Sequence, residues 1–415
     1  MRPGCLLLVL TTLAHAAGPT SAELTSLFPA LERLYIQLHS HPELAFEEKQ
    51  TSATLTTHLK SLGFEVTSSI GGTGFVALLK NGSGPTAMLR TELDALPVTE
   101  QTGLPFASKN VGVMHACGHD LHMTALAGTA QWMAEHRNQW HGTLMLVGQP
   151  AEETAQGAAA MLKDGLFTRF PKPDYALSLH DDDTLPAGQV GYHAGLFRSA
   201  ADFLTVTIFG RGGHGAMPQS TVDPVVIAAR TILAWQTIIS RETDPRSPAV
   251  ITVGAIQGGT KNNIIPESVR MLLSVRTFDP KVRTRVLAAI ARIAKAEAAA
   301  SDAPKEPLIE KTAGMQSGEA VYNDPELTAR LATAIPQAVE MPAKMTSEDF
   351  SEYGRAGVKA VLLHIGAVDP ASLAKSKESG IAIPAPHSPQ WAPVLEPTLK
   401  SAISAESLAL LTLLN

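Results

Sequence analysis

Between residues 75 and 179 the chain alternates short, continuous apolar runs with longer segments of helical spacing, and this alternation constrains its fold most tightly. Phe75–Leu79, Thr86–Arg90, Thr143–Val147 and Tyr175–Leu179 read as buried strands, with helices expected over 120–136 and 154–165. Strands that alternate with helices predict an α/β layer built on a mostly parallel sheet. Upstream, residues 24–39 and 48–62 have helical spacing. Near residue 200 the pattern changes. Phe203–Phe209 alternates as a strand, followed by a helix at 222–240, strands at 249–256 and 269–277, a helix at 280–300 and a short strand at 308–310. That order, β-α-β-β-α-β, is ferredoxin-like. Helices at 324–338, 348–356 and 394–413 with a strand at 359–365 then return to the α/β pattern. The expected organisation is a larger α/β domain in two parts, 24–198 and 312–415, with a small α+β domain inserted at 199–311.

At 415 residues the chain is more than twice a typical single-domain length of ~150, in keeping with two domains. Hydrophobic residues at 45% against 17% charged exclude a disordered chain. A net charge of −6 without a long basic run argues against nucleic acid as a partner. Beyond the N-terminus no run approaches the ~18 apolar residues of a membrane span. Residues 1–16 read as a signal peptide: Arg2 supplies the positive region, Cys5–Leu10 opens the apolar region, and Ala14-His15-Ala16 is a small-x-small cleavage site. The mature chain is then expected to be exported, to the periplasm or beyond. Of two cysteines, only Cys117 survives such cleavage, so no internal disulfide is possible in the mature chain.

That cysteine lies in the densest polar cluster of the chain, Met114-His115-Ala116-Cys117-Gly118-His119-Asp120-Leu121-His122. Thiolate and imidazole suit zinc and its neighbours, and a carboxylate can orient an imidazole from behind. Taken alone, the cluster also fits a helix N-terminus capped by Asp120 with exposed histidines. Gln149-Pro150-Ala151-Glu152-Glu153 follows a buried strand, where α/β sheets place their sites. Hydrolysis at a metal needs one carboxylate as ligand and one free to accept a proton, so a turn must aim both inward. An isolated Glu-Glu pair is otherwise a solvated loop. His180 follows strand 175–179, and His387 sits between prolines in Pro384-Ala385-Pro386-His387-Ser388-Pro389. Together these four elements point to a metal site.

In order along the chain, His41-Pro42-Glu43-Leu44, Arg90–Pro97, Met114–His122, Gln149–Glu153, Gly210–Ala216, Asn262–Pro266, Ser347–Phe350 and His387-Ser388-Pro389 resemble the M20 metallopeptidases, in particular their amidohydrolase branch of hippurate, auxin-conjugate and N-acyl-amino-acid hydrolases. The resemblance implies two divalent cations, zinc foremost with manganese, cobalt or nickel also compatible, held by Cys117, His119, Glu153, His180 and His387. It implies Glu152 as general base, His214 as a donor to the tetrahedral oxyanion, sometimes from a partner subunit, and Asn263 and Arg276 as substrate contacts. For Arg276 a structural ion pair is the competing reading. Asp94 and Asp120 are expected behind the ligands, with His122 in reserve. The inserted domain resembles the family's lid, which often carries a homodimer contact.

Two features depart from the family pattern: Glu92 stands where aspartate is usual, and His180 is followed by Asp181-Asp182-Asp183, taken here as a solvated loop. The expected activity is hydrolysis of the amide of an N-acyl-L-amino acid or short peptide. A non-catalytic metal- or peptide-binding protein on the same fold is one rival. The other is a cysteine hydrolase using Cys117, which leaves Glu152, Glu153 and His387 without a role.

Overall fold

The apolar runs pair into an eight-stranded sheet. Across it the strands run Glu65–Ile70, Gly74–Asn81, Gly142–Gln149, Thr86–Glu92, Tyr175–Pro186, Lys359–Val368, Val190–Tyr192 and Val339–Glu340. The four central strands, from Gly142–Gln149 to Lys359–Val368, are parallel, and the hairpin of Glu65–Ile70 and Gly74–Asn81 is antiparallel. This is a computed structural model describing residues 17–415; the expected signal peptide at 1–16 lies outside the described residues.

Helix His119–Glu135 is buried almost all round, because it lies between the sheet and helices Ser21–Ser40, Lys49–Ser61 and Leu395–Leu413. An apolar stripe on one face would not satisfy that position, and the sequence Leu121–Met133 is accordingly apolar or small on nearly every face. The resulting core includes Leu55, Leu59, Phe75, Leu126, Trp132 and Leu410.

Residues 200–311 form a second sheet, antiparallel, in the order Ala249–Gln257, Ser268–Thr277, Ala200–Phe209, Leu308–Lys311. Helices Pro224–Thr237 and Pro280–Ala299 pack on it around a separate core with Trp235, Ile290 and Met271. Trp235 is fully buried and its indole N–H donates to Ile290 O at 3.0 Å, so the ring adds apolar area without an orphaned donor. Both helices begin with Asp-Pro, as do Pro325–Ala334 and Pro370–Ser379. In each case the aspartate carboxylate accepts an N–H of the first turn and proline occupies a position that has no intrahelical donor to lose.

Three expectations change. The helix expected at 154–165 is confined to Gly157–Lys163, because Glu152–Ala155 is a turn, entered by Ala151 at a left-handed φ of 51° and ended by Ala155 at 54°. The strand expected at 175–179 continues to Pro186. Asp181 and Asp182 are thus buried strand residues and not a solvated loop.

Candidate metal centre and its cavity

The site forms at the C-terminal ends of the four parallel strands, where strand carbonyls end and loops diverge. Cys117 and His119 flank Gly118, which opens helix His119–Glu135 in a left-handed conformation (φ 76°). Glu152 and Glu153 follow strand Gly142–Gln149, His180 lies within Tyr175–Pro186, and His387 is in the loop between helices Pro370–Ser379 and Leu395–Leu413, with φ 72°. Cys117 Sγ is 3.5 Å from His180 Nε2. His119 Nε2 is 3.9 Å from both Glu152 Oε2 and Glu153 Oε1, and His387 Nε2 is 3.3 Å from Glu153 Oε2. Ligand-type atoms of Cys117, His119 and His180, and of Cys117, Glu153 and His387, lie within 4.8 Å of one another.

The remaining nitrogens of His119 and His180 are fixed. His119 Nδ1 is 2.8 Å from Asp94 O, which leaves Nε2 facing the cluster. His180 Nδ1 is held by Asp181 O at 2.8 Å. Asp94 also accepts the Glu153 backbone N–H at 2.9 Å, so one residue sets both an imidazole and the acidic turn. Asp120 points away from the cluster, its Oδ2 2.6 Å from His39 Nδ1. His122 has both nitrogens engaged, Nδ1 3.0 Å from Glu92 and Nε2 accepting the Asp181 N–H at 2.8 Å, so it has no lone pair to spare as a ligand. Glu92 thereby orients His122 and also pairs with the buried Arg90.

Two buried atoms in the cluster, His119 Nε2 and Glu153 Oε1, have no hydrogen-bond partner among the described residues. Burial, followed by the charges of Glu348 and Glu153, pushes the Glu152 carboxyl well above its ordinary range. Burial lifts Glu153 to about 7. Burial and then Glu153 raise the Cys117 thiol well above its usual value. Against the lowering effect of burial, the Asp94 hydrogen bond and nearby carboxylates lift His119 to about 10. Without a cation, the cluster therefore holds protons on groups that bind metals when deprotonated. A soft thiolate, imidazoles and carboxylates around unpartnered atoms fit divalent metal ions.

The cluster opens on a cavity of about 570 Å³ lined also by Arg198, Phe203, Arg276, Lys344, Ser347 and His364. Arg276 reaches it from the inserted domain. Its Nη1 donates to Ser347 Oγ at 2.5 Å and its Nε to Ser274 Oγ at 3.1 Å, and it has no carboxylate partner among the described residues, contrary to the ion-pair reading. His214 and Asn263 do not line the cavity. They lie together on the exposed two-stranded ribbon of Gly213–His214 and Ile264–Ile265, where Gly215 N–H donates to Asn263 O.

Sequence reading overlooked Arg198 and His364, both buried beside the cavity. His364 interrupts the apolar run Val361-Leu362-Leu363-His364-Ile365 as a lone polar residue, which was an available signal, whereas Arg198 only ends Gly195-Leu196-Phe197 before Ser199.

A buried thiol, three imidazoles and two carboxylates at the ends of parallel strands, beside an inserted α+β domain, define a candidate metal centre on a two-domain α/β fold. The chain belongs to peptidase family M20/M25/M40, which matches residues 88–383. It is 39% identical over 276 residues to an N-acetyl-L-cysteine deacetylase of Bacillus subtilis, covering 66% of this chain and 65% of that one, just under two thirds of the relative's length. It is also 39% identical over 284 residues to a hippurate hydrolase of Campylobacter jejuni, covering 68% and 73%. A solved dinuclear metal-binding M20 peptidase of Bacillus subtilis superposes with a TM-score of 0.76 at 27% identity, over 94% of this chain and 99% of that one.

Proposed function

We propose that the chain is an exported metal-dependent amidohydrolase that cleaves the amide bond of N-acyl-L-amino acids or short peptides. The observation that carries this reading is the convergence of the five candidate ligands on one cavity edge, with His119 Nε2 and Glu153 Oε1 unpartnered and Glu152 adjacent. The named activities of the deacetylase and hippurate hydrolase relatives support an N-acyl amino acid as substrate.

Cys117, His119, Glu153, His180 and His387 would hold two divalent cations, zinc foremost. When bound, such ions lower the pKa of water from 15.7 toward ~7 and polarise a carbonyl. Glu152 lines the cavity and takes the water proton on its carboxylate, then returns it to the leaving amine nitrogen. The Arg276 guanidinium, braced by Ser274 and Ser347, receives the substrate carboxylate. The signal peptide read at 1–16 supports export.

His214 and Asn263 are exposed on the inserted domain and are assigned to the cavity of a second copy, where His214 donates to the oxyanion. Two further features support a homodimer through this domain. Helix Pro224–Thr237 exposes Val225, Val226 and Leu233, and edge strand Ala249–Gln257 exposes Val250 and Ile256.

The test is amino-acid release from N-acyl amino acids and dipeptides by the mature chain as purified, after chelation, and after single divalent metals are added back. Release that stops on chelation and returns with metal supports the reading. Release untouched by chelation overturns it and brings Cys117 forward as nucleophile.

A further inference from the structure

The charges that line the cavity do not balance locally. Each of three carboxylates that line it beyond the metal cluster has a basic partner, though Glu348 and Asp349 share Arg90 with Glu92. Glu348 and Asp349 pair with Arg90 at 2.8 and 3.0 Å, and Asp183 lies 3.4 Å from Lys344. Lys344 also pairs with Asp182 at 2.5 Å. Two guanidiniums remain without a carboxylate partner among the described residues. One is Arg276, bonded only to serine hydroxyls. The other is Arg198, 5% exposed, whose Nε and Nη2 lie 3.3 and 3.1 Å from a single acceptor, His364 Nε2.

The geometry around Arg198 looks built to leave its charge available. Arginine only donates, so His364 Nε2 must accept, and the ring proton sits on Nδ1, 2.6 Å from Asp182 Oδ2. The imidazole is therefore neutral and fixes the guanidinium plane without cancelling its charge. The Asp182 carboxylate that could have paired with Arg198 is held instead between His364 and Lys344, on the far side of that ring. Arg198 Nη1 makes no hydrogen bond to the described residues. A buried, uncompensated cation is expensive unless something anionic completes it.

We propose that Arg198 and Arg276 form two separate carboxylate subsites in the cavity, and that the preferred substrate is an N-acyl amino acid bearing two carboxylates. This rests on the amidohydrolase reading for the identity of the ligand. Arg276, on the inserted domain, takes the α-carboxylate. Arg198, on the catalytic domain beside His180 and Glu348, takes the second, carried either by the amino-acid side chain or by the acyl group. A planar fork fixed by His364 suits bidentate carboxylate recognition, which lysine does not reproduce.

The experiment compares isosteric pairs that differ by one charge: N-acetylglutamate with N-acetylglutamine, and N-succinylalanine with its terminal amide. The first pair tests a side-chain carboxylate and the second an acyl carboxylate. Binding is measured by titration calorimetry on the metal-loaded Glu152→Gln chain, where turnover does not interfere, and kcat/KM on the unsubstituted enzyme. In at least one pair the dianion should bind about tenfold tighter or more, as expected of a charge-assisted, partly buried contact. In Arg198→Gln that ratio should collapse toward one, and Arg198→Lys should restore it only in part. Parity within both pairs overturns the inference, as does a ratio that survives Arg198→Gln. If that variant does not fold, the pairs measured on the unsubstituted pocket still decide. Turnover with parity sinks the subsite alone; anion preference in binding without metal-dependent turnover sinks the amidohydrolase reading alone.

Discussion

Gly118 and Asp181 meet so closely that a Cβ on residue 118 would lie 2.2 Å from Asp181 Oδ2. The same glycine has a φ of 76°, so it is required twice, once by backbone conformation and once by space. Asp181 Oδ2 also accepts the Trp391 indole N–H at 2.9 Å, and Asp181 O holds His180 Nδ1. The turn between Cys117 and His119 and the orientation of His180 are thus set by one contact. Gly118→Ala should cost ~1–3 kcal/mol in strain and displace Asp181, lowering bound metal per chain. Metal analysis together with a melting curve checks this; a variant with full metal content and an unchanged Tm would show that the contact yields freely.

Chelation should destabilise the fold as well as stop turnover. Glu152, Glu153 and the Cys117 thiol share a buried space that raises the pKa of each, and a divalent cation reverses that penalty. A site saturated at 100 times its Kd stabilises by ~2.7 kcal/mol, so Tm should fall by several degrees after chelation and recover with added zinc or manganese. A Tm indifferent to chelator would mean that the cluster holds no ion in solution.

Much of this organisation was legible because it is local. Strand runs such as Thr143–Val147, the Asp-Pro helix start at Asp223-Pro224, and the density of ligands at 114–122 are all contained within one window of sequence. What escaped depends on partners far along the chain. The Asp181–Asp183 run has the composition of a surface loop, yet Asp181 Oδ2 accepts the Trp391 indole N–H, its backbone N–H donates to His122, and Asp182 is held by His364 and Lys344. Arg90 likewise gives no sign of being fully buried, because beyond nearby Glu92 its compensation comes from Glu348 and Asp349, 258 and 259 residues away. His214 and Asn263 sit together as exposed ribbon residues, and no spacing rule says whose cavity an exposed residue serves.

Glu152→Gln separates chemistry from metal binding. Glu152 lies in a turn shaped by the left-handed Ala151, whose N–H donates to buried Glu48 at 2.9 Å, so an amide at 152 leaves the turn intact. The loss of a general base should lower kcat by ~10²–10⁴, with metal content and Tm near those of the unsubstituted chain. Parallel loss of metal would instead place Glu152 among the ligands, and unchanged turnover would remove it from the mechanism.

The pH dependence of stability should carry the signature of a buried glutamate outside the candidate ligand set. Glu406, on helix Leu395–Leu413, is 4% exposed and accepts from Thr129 Oγ1 at 2.6 Å. Burial pushes its carboxyl up to about 8, against an unfolded value of ~4.3. Between those two values the folded chain holds a proton that the unfolded chain has released. Stability from this group is therefore fully present below about pH 4 and lost as pH rises toward 8. Glu406→Gln keeps the shape and an acceptor for Thr129 but removes the titration. Its Tm should be close to that of the unsubstituted chain at pH 5 and several degrees higher at pH 8, with the gap widening steadily between. A gap that is constant over this range would show that Glu406 titrates alike in both states, and a gap that narrows would mean that its folded carboxylate is the stabilised form.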